Sequence, residues 1–189
     1  MKFLEFTGVV TEDSLTTLLL QLQKTPERKA VVIDSPGGEF TPLAGLRDTL
    51  AQADYTAVAY NQVDSAAIML YVLGKQRLAL PDATFKFHLG GVGFIENRAI
   101  SVEQFEAQLA IDRELARLHG QKLLRTGEEL FAADWARQDW TLSLLATRTG
   151  RDRTTFLNMR NRAALLSARQ ALQYGLVERI VEPEDLFGN

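Results

Sequence analysis

The sequence predicts an α/β fold built from parallel βαβ units. Three observations lead there. Short β-branched and aromatic runs alternate with helix-length amphipathic runs over residues 1–90. The helical runs are long enough to carry the chain back to the starting end of the next strand, as parallel pairing requires. The second half drops this alternation for a mainly helical pattern.

Each element has its own signal. Phe3 to Val10 reads as a strand. Thr11-Glu12-Asp13-Ser14 offers helix caps, and Leu15, Leu18, Leu19 and Leu22 then recur at helical spacing. Lys29 to Asp34 is a buried-strand pattern that runs into Ser35-Pro36-Gly37-Gly38. Thr41 to Ala53 is helical, with Leu43, Leu46 and Leu50 on one face, and Tyr55 to Tyr60 is the next strand. Ser65 to Leu73 is an apolar helix, with Gly74 expected as its C′ glycine. Arg77 to Leu80 and Thr84 to His88 are short strands. Beyond them, Ser101 to Leu124 reads as a long charged helix capped by Ser101, with Val102, Phe105, Leu109, Ala116 and Leu123 as its stripe. Phe131, Trp135, Trp140, Leu144 and Leu145 suggest another helix through Ala146. Arg151 to Asn161 is helical, Ser167 to Tyr174 is a short helix ended by Gly175, and Val177 to Val181 is a last strand. No repeat, low-complexity stretch or linker divides the 189 residues, so one domain is expected.

Composition narrows the function classes. A net charge of −3 gives no basic footprint for nucleic acid. The absence of cysteine excludes a disulfide framework, a thiolate metal site and a cysteine nucleophile. No apolar run approaches the ~20 residues that span a bilayer, and Met1 to Phe6 lacks a signal-peptide pattern. A cytoplasmic protein without a membrane partner is expected.

Three segments carry chemistry. Gly37-Gly38 follows a buried strand, where two glycines let a substrate approach the main chain; they read as an oxyanion hole or as an ordinary loop. Ser65 opens an apolar helix, which sets its oxygen and the Ala66 N–H at the positive end of the helix dipole. The competing reading is a plain N-cap serine, with Asp64 able to take the cap instead. His88 ends a strand and faces away from Phe85 and Phe87. It reads as a base or as a structural histidine; the other histidine, His119, reads as solvated surface. Together they supply a nucleophile, a base and oxyanion donors, the parts of acyl-transfer chemistry.

These segments resemble the proteolytic subunit of the Clp protease, within the wider crotonase-like fold. Ser35-Pro36-Gly37-Gly38 is similar to that family's oxyanion segment, Gln62-Val63-Asp64-Ser65 to its nucleophile segment, and Leu80-Pro81 through His88 to its base segment. Phe3-Leu4 with Thr7-Gly8, and Leu166-Ser167-Ala168 through Tyr174-Gly175-Leu176-Val177, extend the likeness over the chain apart from the middle of the second half. The resemblance implies a spiral of repeated ββα units with a helical second half containing an extended handle. It implies a serine endopeptidase, with Ser65 and His88 catalytic, Gly38 and Ala66 as oxyanion donors, and no metal or other cofactor. Peptides or unfolded proteins would be substrates, and the subunits would form a homo-oligomeric ring.

The chain departs from the family pattern in several places. The family's catalytic aspartate falls on Ala163, so Asn161 is taken as the third member, with Asp152 further off and Asp112, Asp134 or Asp139 as alternatives from the longer region. Ala66-Ala67 replaces Met-Gly after the nucleophile, and Leu89 replaces Gln-Pro after His88. The stretch from His88 to Thr149 is longer than the family's by roughly two dozen residues, an insertion placed within about 92–148. The chain begins almost at its first strand, so axial loops, and with them an AAA+ unfoldase partner, are not expected. Two other functions fit parts of the sequence. One is a catalytically impaired scaffold or regulatory subunit, favoured by Ala163. The other is a crotonase-type acyl-CoA enzyme, which needs acid–base glutamates and has Glu39 nearby. A serine–lysine dyad using Lys86 is a lesser variant.

Overall fold

The structure, a computed structural model, describes residues 1–88, 92–94, 98–100, 110 and 139–187. The chain divides into two compact units. One comprises Met1–His88 with Leu142–Asn189, the other Leu89–Thr141. In the second unit, β6 (Val92–Phe94) and β7 (Arg98–Ile100) form an antiparallel pair with Val92 opposite Ile100. The expected helix over Ser101–Leu124, His119, Asp112, Asp134, Phe131 and Trp135 lie outside the described residues apart from a single helical position, 110.

The first unit is organised by a parallel sheet. β1 (Lys2–Thr7), β2 (Lys29–Ser35), β3 (Tyr55–Asp64), β4 (Gln76–Ala79) and β9 (Arg179–Ile180) run side by side in that order, all parallel. The connecting helices are α1 (Glu12–Lys24), α2 (Phe40–Gln52) and α3 (Ala66–Leu73). Helical residues 139–149, α4, enter this unit at Leu142 and are followed by α5 (Arg153–Asn161), α6 (Ala168–Gln173) and α7 (Pro183–Phe187). α1 forms where its leucine spacing requires: Leu15, Leu18, Leu19 and Leu22 are all buried. Thr11 caps it, taking the Ser14 N–H while Ser14 Oγ accepts the Thr11 N–H. α6 starts on the same device, Ser167 with Gln170. Among the described residues, no helix is long and apolar enough to cross a membrane.

α3 is apolar all round, and Ala66 through Val72 are all buried. Two tyrosine hydroxyls find acceptors in this interior: Tyr55 donates to the Leu70 carbonyl at 2.6 Å and Tyr71 to the Leu78 carbonyl at 3.1 Å. Gly74 does not take the left-handed C′ conformation expected of it; its φ is −57°. A Cβ there would lie 2.7 Å from Ala57 Cβ, so the helix ends on glycine because it crosses β3 closely.

One irregularity in the sheet decides where the site falls. β3 extends past the expected Tyr60 to Asp64. Its first part pairs with β4 (Thr56 to Ala59) and its last part with a different strand, β5 (Thr84–Lys86). The register with β2 shifts between these parts, from Ile33–Ala59 to Ser35–Val63. Asp34 Oδ1 meets the Gln62 N–H at 3.3 Å within this shift. β5 in turn pairs antiparallel with β8 (Leu165–Ser167). The sequence reading ends this strand at Tyr60, and pairing with β5 carries it on through Gln62 to Asp64.

Candidate active site

Three parallel strands, β2, β3 and β5, end next to one another, and each is followed by one of the segments singled out by sequence. Side chains and main-chain groups at the C-terminal ends of parallel strands face a crevice where ligands commonly bind.

Ser65 joins β3 to α3 with φ +53° and ψ −123°. Few non-glycine residues adopt such angles, and those that do cluster at functional sites. An N-capping serine has an extended backbone and accepts a first-turn N–H with its hydroxyl. Ser65 has neither feature. Asp64 is engaged elsewhere: its Oδ1 accepts the Lys86 N–H at 2.9 Å. The turn is pinned by the Ser65 N–H, which donates to the Lys86 carbonyl at 3.0 Å, and by the Ile68 N–H, which donates to the Ser65 carbonyl at 3.1 Å.

The glycine pair packs on this turn. Gly37 has φ +89°, and a Cβ on it would lie 2.6 Å from both Ser65 Cβ and the Asp64 carbonyl, and 3.0 Å from the Ala66 nitrogen. No larger residue fits there. Gly38 has φ +148° and sits against Val10. The Val10 N–H donates to the Gly37 carbonyl and the Glu39 N–H to the Val10 carbonyl, each at 2.8 Å. In a parallel bridge of this kind the middle residue, Gly38, directs its own N–H away from Val10. Gly37 is buried and Gly38 is exposed, so the peptide at Gly38 is within reach of a ligand. Ala66 is the first residue of α3, where an N–H has no acceptor within the helix.

His88 follows β5 by two residues. Phe85 and Phe87 are buried while Lys86 and His88 are exposed, so the expected alternation holds. Because Ser65 bonds to Lys86, the hydroxyl-bearing turn and the imidazole-bearing segment leave the sheet side by side. Asp64 registers their proximity. Its carboxyl is raised above the ordinary carboxylate value, first by burial; the Lys86 N–H and the Lys86 and His88 charges act in the other direction, and Asp34 adds to the rise.

The third position is different. β8 runs antiparallel to β5 with Lys86 opposite Leu165, and the Phe87 N–H donates to the Ala164 carbonyl at 2.8 Å. Ala163, one residue earlier, lies in the turn between α5 and β8. Ala163 has φ +49° and carries no polar atom on its side chain. Asn161 is exposed at the end of α5, two residues before that point. Asp139 is exposed in α4, and Glu39 is exposed as the residue before α2. Sequence reading did not find the packing of Gly37 on Ser65, nor Asp34 and Asp64 as charged neighbours. The signal for the latter was the period of two that puts Asp64, Lys86 and His88 on one face once β3 and β5 are paired.

A cleft of ≈ 360 Å³ lies at the other end of α3, lined by Ala51, Asp54, Val72, Leu73, Lys75, Leu144 and Arg148. It holds none of the residues above.

Comparison with known proteins identifies the family. Residues 7–144 match the model of the Clp protease family. The chain is 30% identical over 187 residues to an ATP-dependent Clp protease proteolytic subunit 1 of Rhodococcus jostii, covering 94% of this chain and 74% of that protein. It is 28% identical over 188 residues to a proteolytic subunit 2 of Mycobacterium tuberculosis, covering 94% and 76%. Among solved structures, a ClpP1 mutant from Listeria monocytogenes superposes with a TM-score of 0.66 at 18% identity, over 97% of this chain and 92% of that one. The chain belongs to the Clp protease family.

Proposed function

We propose that this protein is a serine-type endopeptidase of the Clp kind. Ser65 Oγ attacks the scissile carbonyl while His88 takes its proton. The Gly38 and Ala66 N–H groups receive the negative charge that develops on the carbonyl oxygen. His88 then protonates the departing amine, leaving an acyl-Ser65 ester. Water, deprotonated by His88, attacks that ester, releases the acid product and restores Ser65. The scheme needs no metal or organic cofactor. Its substrates are peptides or unfolded proteins, and its working state is a homo-oligomeric ring.

The observation that carries this reading is the backbone of Ser65: a left-handed, non-capping serine held against a glycine that nothing larger could replace. The test is labelling with a fluorophosphonate probe alongside hydrolysis of a fluorogenic peptide. We expect one labelled serine per chain, lost in Ser65→Ala, with hydrolysis falling by about 10³-fold or more. A chain that resists the probe, with hydrolysis unchanged in Ser65→Ala, removes the proposal. A second reading, a catalytically impaired scaffold subunit, is favoured by Ala163. Loss of a triad carboxylate costs about 10⁴-fold in well-studied serine proteases. Under that reading neither the probe nor the peptide reacts with the assembled protein.

A further inference from the structure

We propose that Asp64 is the positioning residue for His88, supplying from β3 the carboxylate that Ala163 has no group to supply. This inference rests on the Ser65–His88 reading above. Three structural facts lead to it. Asp64 stands opposite Lys86 in the β3–β5 register, and side chains two apart on a strand share a face, so Asp64 and His88 are diagonal neighbours on one face. The Lys86 N–H holds Asp64 Oδ1 at 2.9 Å, which pins the carboxylate over the segment leading to His88 and uses only one of its two oxygens. Ala163, two residues before β8, has φ +49° and no polar side-chain atom to offer an imidazole.

Among the described residues, the charged groups acting on Asp64 are Asp34 from β2, Lys86 from β5 and His88 just beyond it. Asp34 repels its charge, and Lys86 and His88 attract it. When His88 accepts the Ser65 proton it becomes a cation. Asp64 then gains a full countercharge that it lacked in the resting state. An interaction stronger in the transition state than in the ground state is the kind that raises rate. Asp64 forms no bond to substrate; it acts through the imidazole.

The experiment measures the rate of fluorophosphonate labelling of the full chain from pH 5 to pH 9. The variants are Asp64→Asn, Ala163→Asp, the double variant and Ser65→Ala. Aspartate tolerates the left-handed backbone at position 163 better than alanine does. We expect Asp64→Asn to slow labelling at neutral pH by at least tenfold and to move the rise of rate with pH downward. We expect Ala163→Asp to recover most of that loss in the double variant. Rescue from a second position shows that what was lost is support of His88 and not the fold. Asp64→Asn labelling at the unaltered rate, with Ser65→Ala abolishing the label, overturns this inference and leaves the serine-peptidase reading standing. A slowed Asp64→Asn with no rescue by Ala163→Asp and no change in pH profile also overturns it. An unaltered chain that never labels overturns both.

Discussion

Gly37 and Ser65 show how much of a site can depend on one missing methyl group. A Cβ at Gly37 would approach Ser65 Cβ and the Asp64 carbonyl to 2.6 Å, and its φ of +89° is strained for any other residue. Gly37→Ala should therefore destabilise the fold by about 1–3 kcal/mol and displace the Ser65 turn. Urea unfolding and probe labelling read the two effects separately, and a variant with unchanged stability and labelling would contradict the close packing. Ser65 carries its own strain at φ +53°. Ser65→Gly should be more stable than Ser65→Ala by about 1 kcal/mol, although both abolish labelling. Asp64 adds a pH dependence. Its carboxyl is raised in the folded state, chiefly by burial, so the folded chain holds that proton more tightly than the unfolded one. The stability it contributes is complete below the ordinary carboxylate pKa and is lost as pH rises through the raised value. Asp64→Asn, which removes the titration, should match the unaltered chain at about pH 3 and exceed it in stability at neutral pH. Unfolding midpoints across that range check the sign; a variant less stable at neutral pH contradicts it.

At the level of elements, α3 and the strand pairings settle the geometry. An apolar helix of this kind is stable only when enclosed, and α3 is enclosed on all sides. Burial raises the pKa of the Tyr55 hydroxyl, against a weaker pull from Arg148, and the hydroxyl stays protonated as donor to Leu70. Tyr55→Phe should lower stability by about 1 kcal/mol with little effect on labelling, since it leaves the far end of α3 untouched. A larger loss of labelling than of stability would show that the helix position transmits to Ser65. The leucine pattern of α1 and the cap candidates at Thr11 to Ser14 were legible as sequence, because they depend on neighbours within four residues. The end of β3 was not. Gln62 to Asp64 extend the strand by pairing with β5, encoded more than twenty residues later.

Across the whole unit, Arg77 ties the C-terminal segment to the sheet. The side chain is buried, and burial lowers its pKa below the usual arginine value while Glu178 counteracts this. It meets Glu178 Oε1 at 2.8 Å and donates to the carbonyls of Leu176 at 2.9 Å and Arg148 at 3.0 Å. Removing one partner of a buried ionic network is expensive because the remaining polar groups lose their partners. Arg77→Met should lower stability by about 3 kcal/mol and loosen the segment after Gly175. Hydrogen exchange at Glu178 to Val181 would report this, and unchanged protection there would refute the role.

The sequence alone determined the alternating α/β order, the leucine face and N-terminal cap of α1, and the candidates Ser65, His88, Gly38 and Ala66, since all of these follow from local spacing and residue chemistry. Tertiary structure decided which of them meet. The register shift between β2 and β3 and the change of partner from β4 to β5 bring three strand ends together, with Gly37 pressed on Ser65. The β3–β5 register also sets Asp64 opposite Lys86, two residues before His88. Such neighbours are far apart along the chain, and only hydrogen-bond pairing between strands determines which residue faces which.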